Sequence, residues 1–397
     1  MNVSIIGLGY IGLPTAALIA SNGIKVYGVD INQGVVEKIT RGEVHIVERD
    51  LDGLVQKAVT NGFLTAGAVP QKADVFIIAV PTPVTEGNRP DVTFVDKAVE
   101  SVIPFLEKEN LLIIESTCPV GITDRLAGRI FYRRPDLAGS LFIAYCPERV
   151  LPGRILYELE HNDRIVGGIN EISAKKAAEF YAGFVKGSVF QTDAKTAEMC
   201  KLVENAYRDI NIAFANELSI LCDKAGVDVW ELVSLANRHP RVNILNPGCG
   251  VGGHCIAVDP WFLVSQFPEE VRIIKTAREI NDFKPSWVVE KIEAMAGDFR
   301  EKRGRPPVLG CLGLSYKPDT DDTRESAALK IARQLIDRGY RVLANEPNIN
   351  SDFVAGIKNH TLSSVLRESD LIIVNVLHSA YSGVVNKAAE NVICFAG

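Results

Sequence analysis

An apolar run, NVSIIG, is followed at once by GLGYIG, by a helical apolar pattern from Leu13 to Ser21, and by a second apolar run, IKVYGVDI, that ends in Asp30. Few folds accept that order. A lone GxGxxG is weak, but here Gly7, Gly9 and Gly12 open a helix directly behind a strand, and an acid closes the next strand 18 residues later. The context predicts the strand, glycine turn, helix and strand of a dinucleotide-binding unit rather than a glycine turn that merely packs. Glycines there let the backbone turn and approach a pyrophosphate seated on the amides of the helix N-terminus. Asp30 is placed to accept from the adenosine ribose hydroxyls and to repel a 2′-phosphate, which favours NAD over NADP.

Further strands are expected at ADVFIIAVPTP and NLLIIESTCPVG, each ending in small polar residues. Ligands of an open parallel sheet bind at those carboxyl ends, so Thr82 and Thr117 are placed to touch a cofactor or a reacting group; the competing reading of either is an ordinary turn or cap residue. From residue 194 the pattern changes. AKTAEMCKLVENAYRDINIAFANELSILCDKAGV has no proline or glycine before Gly226 and predicts one long helix with enough apolar surface for a subunit interface. Lys201, Asn205 and Arg208 share one face of it, either as a solvated polar stripe or as a site.

The last hundred residues repeat the opening theme. PPVLGCLGLSY, ESAALKIARQLIDRG and YRVLANEP read as strand, helix, strand, and SDLIIVNVLHS occupies the station of ADVFIIAVPTP. The turn GCLGLSYKPDTDDTRES lacks the full glycine pattern but offers Lys317 and Arg324, which suits a phosphorylated ligand other than a second dinucleotide. The expected class is α/β, with two Rossmann-like doubly wound domains joined by a central helical dimerisation region. The divisions are 1–193, 194–300 and 301–397, with EKRGRPP as the connector.

Composition narrows the partners. A net charge of −6 without a basic run speaks against nucleic acid. The uncharged stretch VSIIGLGYIGLPTAALIA is interrupted by three glycines and a proline and has no basic n-region, so a membrane span is not expected and a cytoplasmic location is. Eight scattered cysteines, with no Cys-x-x-Cys pair, read as thiols of a reducing compartment, and no metal is expected.

One cysteine stands apart. NPGCGVGGHCIAVDP, residues 246 to 260, admits a metal clip, a disulfide or a nucleophile. A dinucleotide domain elsewhere in the chain favours the last. An alcohol can lose one hydride to NAD and become an aldehyde, but an aldehyde yields a second hydride only after a nucleophile has made it tetrahedral. A thiolate does this, and water then releases a carboxylate from the thioester. Cys255 is the candidate nucleophile, with Cys249 as its decoy. Lys201 and the amides of the GVGGH turn are candidates to stabilise thiolate and oxyanion. His254 reads as structural, and Trp230, Trp261 and Trp287 as core or interface.

GLGYIGLP, VPTP, ESTCPVG, YCPERVLPG, AEMCKLVENAYRDINIAFANE, NPGCGVGGHCIAVDPWF and SYKPDTDDTRES stand in the order of the UDP-glucose/GDP-mannose dehydrogenase family, which the chain resembles over essentially its full length. PERVLPG, HNDR and NRHPRVNI resemble the branch acting on UDP-N-acetyl-D-mannosamine. The resemblance implies four-electron oxidation of UDP-N-acetylmannosamine at C6 with two NAD and one water, for surface polysaccharide synthesis. It implies Cys255 as nucleophile, Lys201 as acid/base and oxyanion lysine, and Asn205 as its assistant. Glu148 and Asp259 would handle protons and water, and Thr117 a water or the cofactor.

By the same resemblance Gly7, Gly9, Tyr10, Ile11, Gly12, Asp30, Thr82 and Thr117 line the NAD site, with Arg324 reaching it. Arg149, Val150, Lys201, Asn205, Arg208, His239, Arg241, Gly252, Tyr316 and Lys317 hold the UDP-sugar. The loop bearing Arg241 crosses to a partner subunit in this family, which implies a homodimer or larger assembly with Arg241 acting in trans. The segment between FYRRPDLAG and LFIAYCP is shorter than in bacterial relatives, and Cys118 and Cys249 stand where other small residues or proline are usual.

Three rivals are distinguishable. A UDP-N-acetylglucosamine 6-dehydrogenase would run the same chemistry on the C2 epimer. A non-catalytic NAD-binding regulatory protein would lack Cys255 or Lys201. A nucleotide-sugar epimerase would need a Tyr-x-x-x-Lys pair beside the cofactor motifs, where none stands.

Overall fold

The computed structural model describes residues 1–396 apart from 152, 384, 387 and 388; Pro152 of PERVLPG therefore lies outside the described residues. Two compact units emerge, residues 1–203 with 261–266, and residues 204–260 with 267–397. The helix Ala194–Ala225 runs from the first into the second.

The first unit is built on eight strands: β1 (Asn2–Ile6), β2 (Lys25–Val29), β3 (Leu64–Gly67), β4 (Val75–Ile78), β5 (Leu111–Ile114), β6 (Phe142–Tyr145), β7 (Arg164–Gly168) and β8 (Val189–Asp193), in the order 3-2-1-4-5-6-7-8. Every neighbouring pair is parallel except β6 with β7. The central strands are continuous apolar runs because both faces are covered. Ile77 and Ile113 join one core cluster, while Phe76, Ile78, Leu112 and Ile114 join another. The strand order reverses between β1 and β4, and the crevice at such a reversal is where this architecture binds ligands.

The second unit holds most of Ala194–Ala225, a second long helix, Ile273–Arg303, and a parallel sheet of β9 (Val308–Leu312), β10 (Arg341–Asn345), β13 (Leu371–Val374) and β14 (Val392–Cys394), in the order 10-9-13-14. A short hairpin, β11 (Phe353–Val354) with β12 (Ile357–Lys358), lies between β10 and β13 in the chain. β13 flanks β9 as β4 flanks β1, the station expected of SDLIIVNVLHS. The connector differs from expectation. Helix Ile273–Arg303 consumes its first three residues and stops at Gly304, whose φ of +72° only glycine adopts at little cost.

A buried polar chain ties this unit together. The buried Arg278 guanidinium meets Asp209 at 2.5 Å, and Asn281 donates to the same carboxylate at 2.9 Å. Asn281 in turn accepts from Asn216 at 2.8 Å. Burial pushes Asp209 up to about 6 against the pull of Arg278. The segment 248–253 is fastened at both ends. Asn216 Oδ1 accepts the Gly248 amide at 2.8 Å, and the Gly253 amide donates to the Arg324 carbonyl at 2.9 Å.

Candidate active site

In the first unit the glycine turn follows β1. A Cβ on Gly12 would stand 1.8 Å from the Gly7 carbonyl oxygen, and one on Gly7 would stand 2.6 Å from that of Ala79, so both glycines are demanded by close backbone packing. Gly9 is different. A Cβ there meets nothing within 4 Å, and its open side lies beside the N-terminus of helix Gly12–Ser21, whose N-cap residue, Ile11, makes no side-chain cap and whose first turn has no acid. That is an anion cradle in the making. Asp30 follows β2, and its carboxylate accepts the Leu8 amide and the Asn32 amide, each at 2.9 Å. Each oxygen retains a second lone pair for a ribose hydroxyl. Glycine turn, uncapped helix end and strand-terminal carboxylate together fit NAD.

Thr82 and Thr117 follow β4 and β5 and are both half-buried. Ser116, between the two strands, accepts the Val80 amide at 2.9 Å and donates to the Val80 carbonyl at 2.7 Å, which pins the two strand ends together. Tyr10 packs its ring against the apolar cluster behind the turn, as does Val150. Glu148 is buried behind β6. Its carboxylate lies 2.8 Å from Arg164 and accepts the Arg149 amide at 2.7 Å, while the Arg149 side chain donates to the Asp163 carbonyl. Lys201 donates from Nζ to the Glu148 carbonyl at 2.7 Å. Sequence reading did not single out Ser116, nor Glu198, which accepts the Gly121 and Thr123 amides at the start of helix Ile122–Arg133.

In the second unit Asn205, one turn beyond Lys201 on the same helix, is buried and donates to Asp259 Oδ2 at 2.6 Å. Arg208 is exposed. Lys201 and Asn205 are thus engaged, which a solvated stripe would not be. The Asp259 amide donates to the Cys255 carbonyl at 2.8 Å, so nucleophile candidate and carboxylate share one turn. Cys255 is half-buried, whereas Cys249 is buried and donates its thiol to the Asn375 carbonyl, with burial pushing it up to about 12. The two thiols of this loop thus stand in different environments.

Gly252 and Gly253 lie against Tyr316. A Cβ on Gly252 would come within 2.8 Å of Tyr316 Cβ, and one on Gly253, at φ +83°, within 2.9 Å of the ring. Burial pushes the Tyr316 hydroxyl up to about 12, Asp322 and Cys255 adding to the shift while Arg324 and Arg208 oppose it. Tyr316, Cys255, Arg208 and Arg324 therefore share one electrostatic neighbourhood. Lys317 lies 5.7 Å from the Tyr316 ring. His254 Nδ1 lies 3.8 Å from Asp322. His239 and Arg241 are exposed on the loop after helix Val229–Ala236, a loop closed by two Asn237 hydrogen bonds to Ile244. Among the described residues no helix is long and apolar enough to cross a membrane.

Models of the UDP-glucose/GDP-mannose dehydrogenase family match the chain in three consecutive stretches: its NAD binding domain over residues 1–185, its central domain over 195–283 and its UDP binding domain over 310–395. The chain is 51% identical over 394 residues to the UDP-N-acetyl-D-mannosamine dehydrogenase of Campylobacter jejuni, covering 96% of each. It is 48% identical over 390 residues to the NDP-N-acetyl-D-galactosaminuronic acid dehydrogenase of Ralstonia nicotianae, covering 96% of this chain and 91% of that one. Among solved structures it is similar to the UDP-D-ManNAc dehydrogenase of Pyrococcus horikoshii, with a TM-score of 0.91 at 36% identity over 100% of this chain and 99% of that one.

Proposed function

Since this chain belongs to the UDP-glucose/GDP-mannose dehydrogenase family, we propose that it oxidises UDP-N-acetyl-D-mannosamine at C6 to the uronate, with two NAD and one water per sugar. The single observation that carries the mechanism is the contrast in burial between a half-buried Cys255 and a buried Cys249 in the same glycine-rich loop. NAD bound on the first sheet supplies the hydride acceptor.

The roles follow from the chemistry. The C6 carbon gives a hydride to the bound NAD while the hydroxyl proton passes through water to solvent, which leaves the aldehyde. The Cys255 thiolate adds to C6, forming the C–S bond and an oxyanion that the Lys201 ammonium and the Asn205 amide neutralise. Loss of the second hydride leaves the thioester. Water then forms a C–O bond to C6 and yields a proton to Glu148, and the C–S electron pair returns to Cys255. Asp259, held by Asn205, orients the water, and Thr117 holds a water or the nicotinamide end of the cofactor.

Gly7, Gly9, Tyr10, Ile11, Gly12, Asp30 and Thr82 hold NAD with help from Arg324. Arg149, Val150, Arg208, His239, Gly252, Tyr316 and Lys317 hold the nucleotide sugar. We infer a three-part division at 193/194 and 300/301, a homodimer in which the exposed Arg241 serves the partner's site, and a cytoplasmic setting where NAD is at hand. The similarity to an NDP-N-acetyl-D-galactosaminuronic acid dehydrogenase supports a second reading, the same chemistry on the galacto sugar.

The experiment is the count of NADH formed per sugar consumed, with UDP-N-acetylmannosamine, UDP-N-acetylgalactosamine and UDP-N-acetylglucosamine offered in parallel. Two NADH from the manno sugar alone supports the proposal. Two from another sugar replaces the substrate and keeps the mechanism, and none from any sugar overturns both.

A further inference from the structure

Behind Glu148 lies a second carboxylate that the mechanism above does not use. Glu115 ends the run LLIIE after β5 and is buried, as are Glu148 after β6 and Arg164 at the start of β7. One guanidinium serves both acids. Arg164 Nη1 stands 2.8 Å from Glu148 Oε2 and 3.9 Å from Glu115 Oε1. Tyr181, on helix Glu171–Ala182, donates its hydroxyl to Glu115 at 2.6 Å and lays its ring under the guanidinium, Cζ 4.9 Å from the centroid. The Cys146 thiol stands 4.0 Å from Arg164 Nη1, and Nη2 donates to the Leu159 carbonyl. These are the charged and titratable groups facing Glu115 from β6, β7 and the helix.

The arrangement poses a charge-balance problem. If Glu148 takes a proton from the attacking water, Arg164 loses its nearest counter-charge. A guanidinium without a counter-charge in a dry interior is costly, so that proton uptake would be disfavoured. A carboxylate at Glu115 removes the problem, because Arg164 then keeps one partner whichever state Glu148 is in.

We propose that Glu115 is a positioning residue for the oxidation: as a carboxylate it takes over the counter-charge role on Arg164 when Glu148 is protonated, so that Glu148 can act as base. The inference rests on the assignment of Glu148 as the proton acceptor in the preceding subsection. No atoms are gained or lost at Glu115 during turnover. It releases its proton to solvent beforehand and stays ionised while the water proton moves to Glu148.

Burial pushes Glu115 up to about 7, with Arg164 and the Tyr181 hydroxyl pulling it back and Glu148 adding to the rise. The turnover number should therefore climb with pH through the neutral range as Glu115 ionises. Two substitutions probe this. Glu115→Gln keeps shape but not charge, and Tyr181→Phe removes one hydrogen bond to the carboxylate while keeping the ring.

The test is the pH profile of kcat, from pH 5.5 to 9, for the native protein, E115Q and Y181F with NAD and UDP-N-acetylmannosamine, with KM measured alongside. The expected result is that E115Q loses the neutral ionisation and falls about tenfold or more at pH 8 with KM values within about twofold of native, while Y181F keeps the ionisation but shifts its midpoint upward. A purely structural role would lower kcat at every pH and leave the midpoint alone. An E115Q profile that retains the native midpoint overturns the proposal. Glu148→Gln separates the two levels: turnover at the native rate in that variant removes the base assignment and this inference with it, whereas an inactive Glu148→Gln beside a native E115Q profile removes only this inference.

Discussion

Asn216, buried on the long helix Ala194–Ala225, accepts the backbone amide of Gly248 at 2.8 Å and so fixes where the cysteine-bearing loop begins. Its own amide nitrogen is spent on Asn281, which in turn holds Asp209. A loop rich in glycine has high conformational entropy to lose, and a polar chain anchored in two helices is what orders its first residues.

Asn216→Ala strands the Gly248 amide and the Asn281 side chain together. We expect a loss of about 2 kcal/mol or more of unfolding free energy, because each buried polar group left without a partner costs roughly 1–3 kcal/mol. Urea denaturation measures it. The same variant should lose turnover more than substrate affinity, which steady-state kinetics separates into kcat and KM.

Cys255→Ser should lower turnover by at least about a thousandfold, since a serine hydroxyl in place of a thiolate removes the nucleophile. Cys249→Ser should retain turnover and lose about 1–2 kcal/mol of stability, because its buried sulfur sits among apolar neighbours. NADH formation and thermal melting, read on both variants, distinguish nucleophile from decoy.

The glycine turn predicts a contrast. Gly9→Ala should fold as the native chain does and raise the NAD KM about tenfold or more, since its Cβ enters open space beside the helix N-terminus. Gly12→Ala should be poorly folded, since its Cβ would stand 1.8 Å from the Gly7 carbonyl oxygen. Circular dichroism melting and NAD titration read the two outcomes apart.

Lys284 lies on helix Ile273–Arg303 at the wall of a cavity of about 450 Å³. It donates to Ser219 at 2.5 Å, with its ammonium 3.7 Å above the Trp287 ring. Burial pushes it down from 10.5 to about 7. Between those values the unfolded chain binds the proton and the folded chain does not, so stability rises with pH across that window and the buried-charge penalty is fully felt below 7. Lys284→Met should therefore stabilise the protein at pH 6 by up to a few kcal/mol, gain little above pH 10, and flatten the rise between. Chemical denaturation at pH 6, 8 and 10 checks it.

Local order in the chain was enough to expect the nucleotide-binding turn, the long helix from residue 194 and the parallel second sheet. Each of these rests on neighbours in sequence: glycines at fixed offsets behind an apolar run, 32 helical residues without an interior breaker, and a repeated strand-helix-strand pattern. The sequence already named Cys255 as candidate nucleophile and Cys249 as its decoy, but the different environments of the two thiols lay beyond it. Both thiols sit in one glycine-rich stretch, and only packing decides that Cys249 turns to the Asn375 carbonyl, 126 residues away.

The same holds for the groups around Glu148. Glu115, Arg164 and Tyr181 come from a strand end, a strand start and a helix, and a lone charge flanking an apolar strand gives no sign of which other charge it will meet. Periodicity and turn chemistry act over a few residues, so sequence alone determined the elements and the order of the motifs. Which buried charges share a partner depends on strands brought side by side by the sheet, and that only the tertiary structure decided.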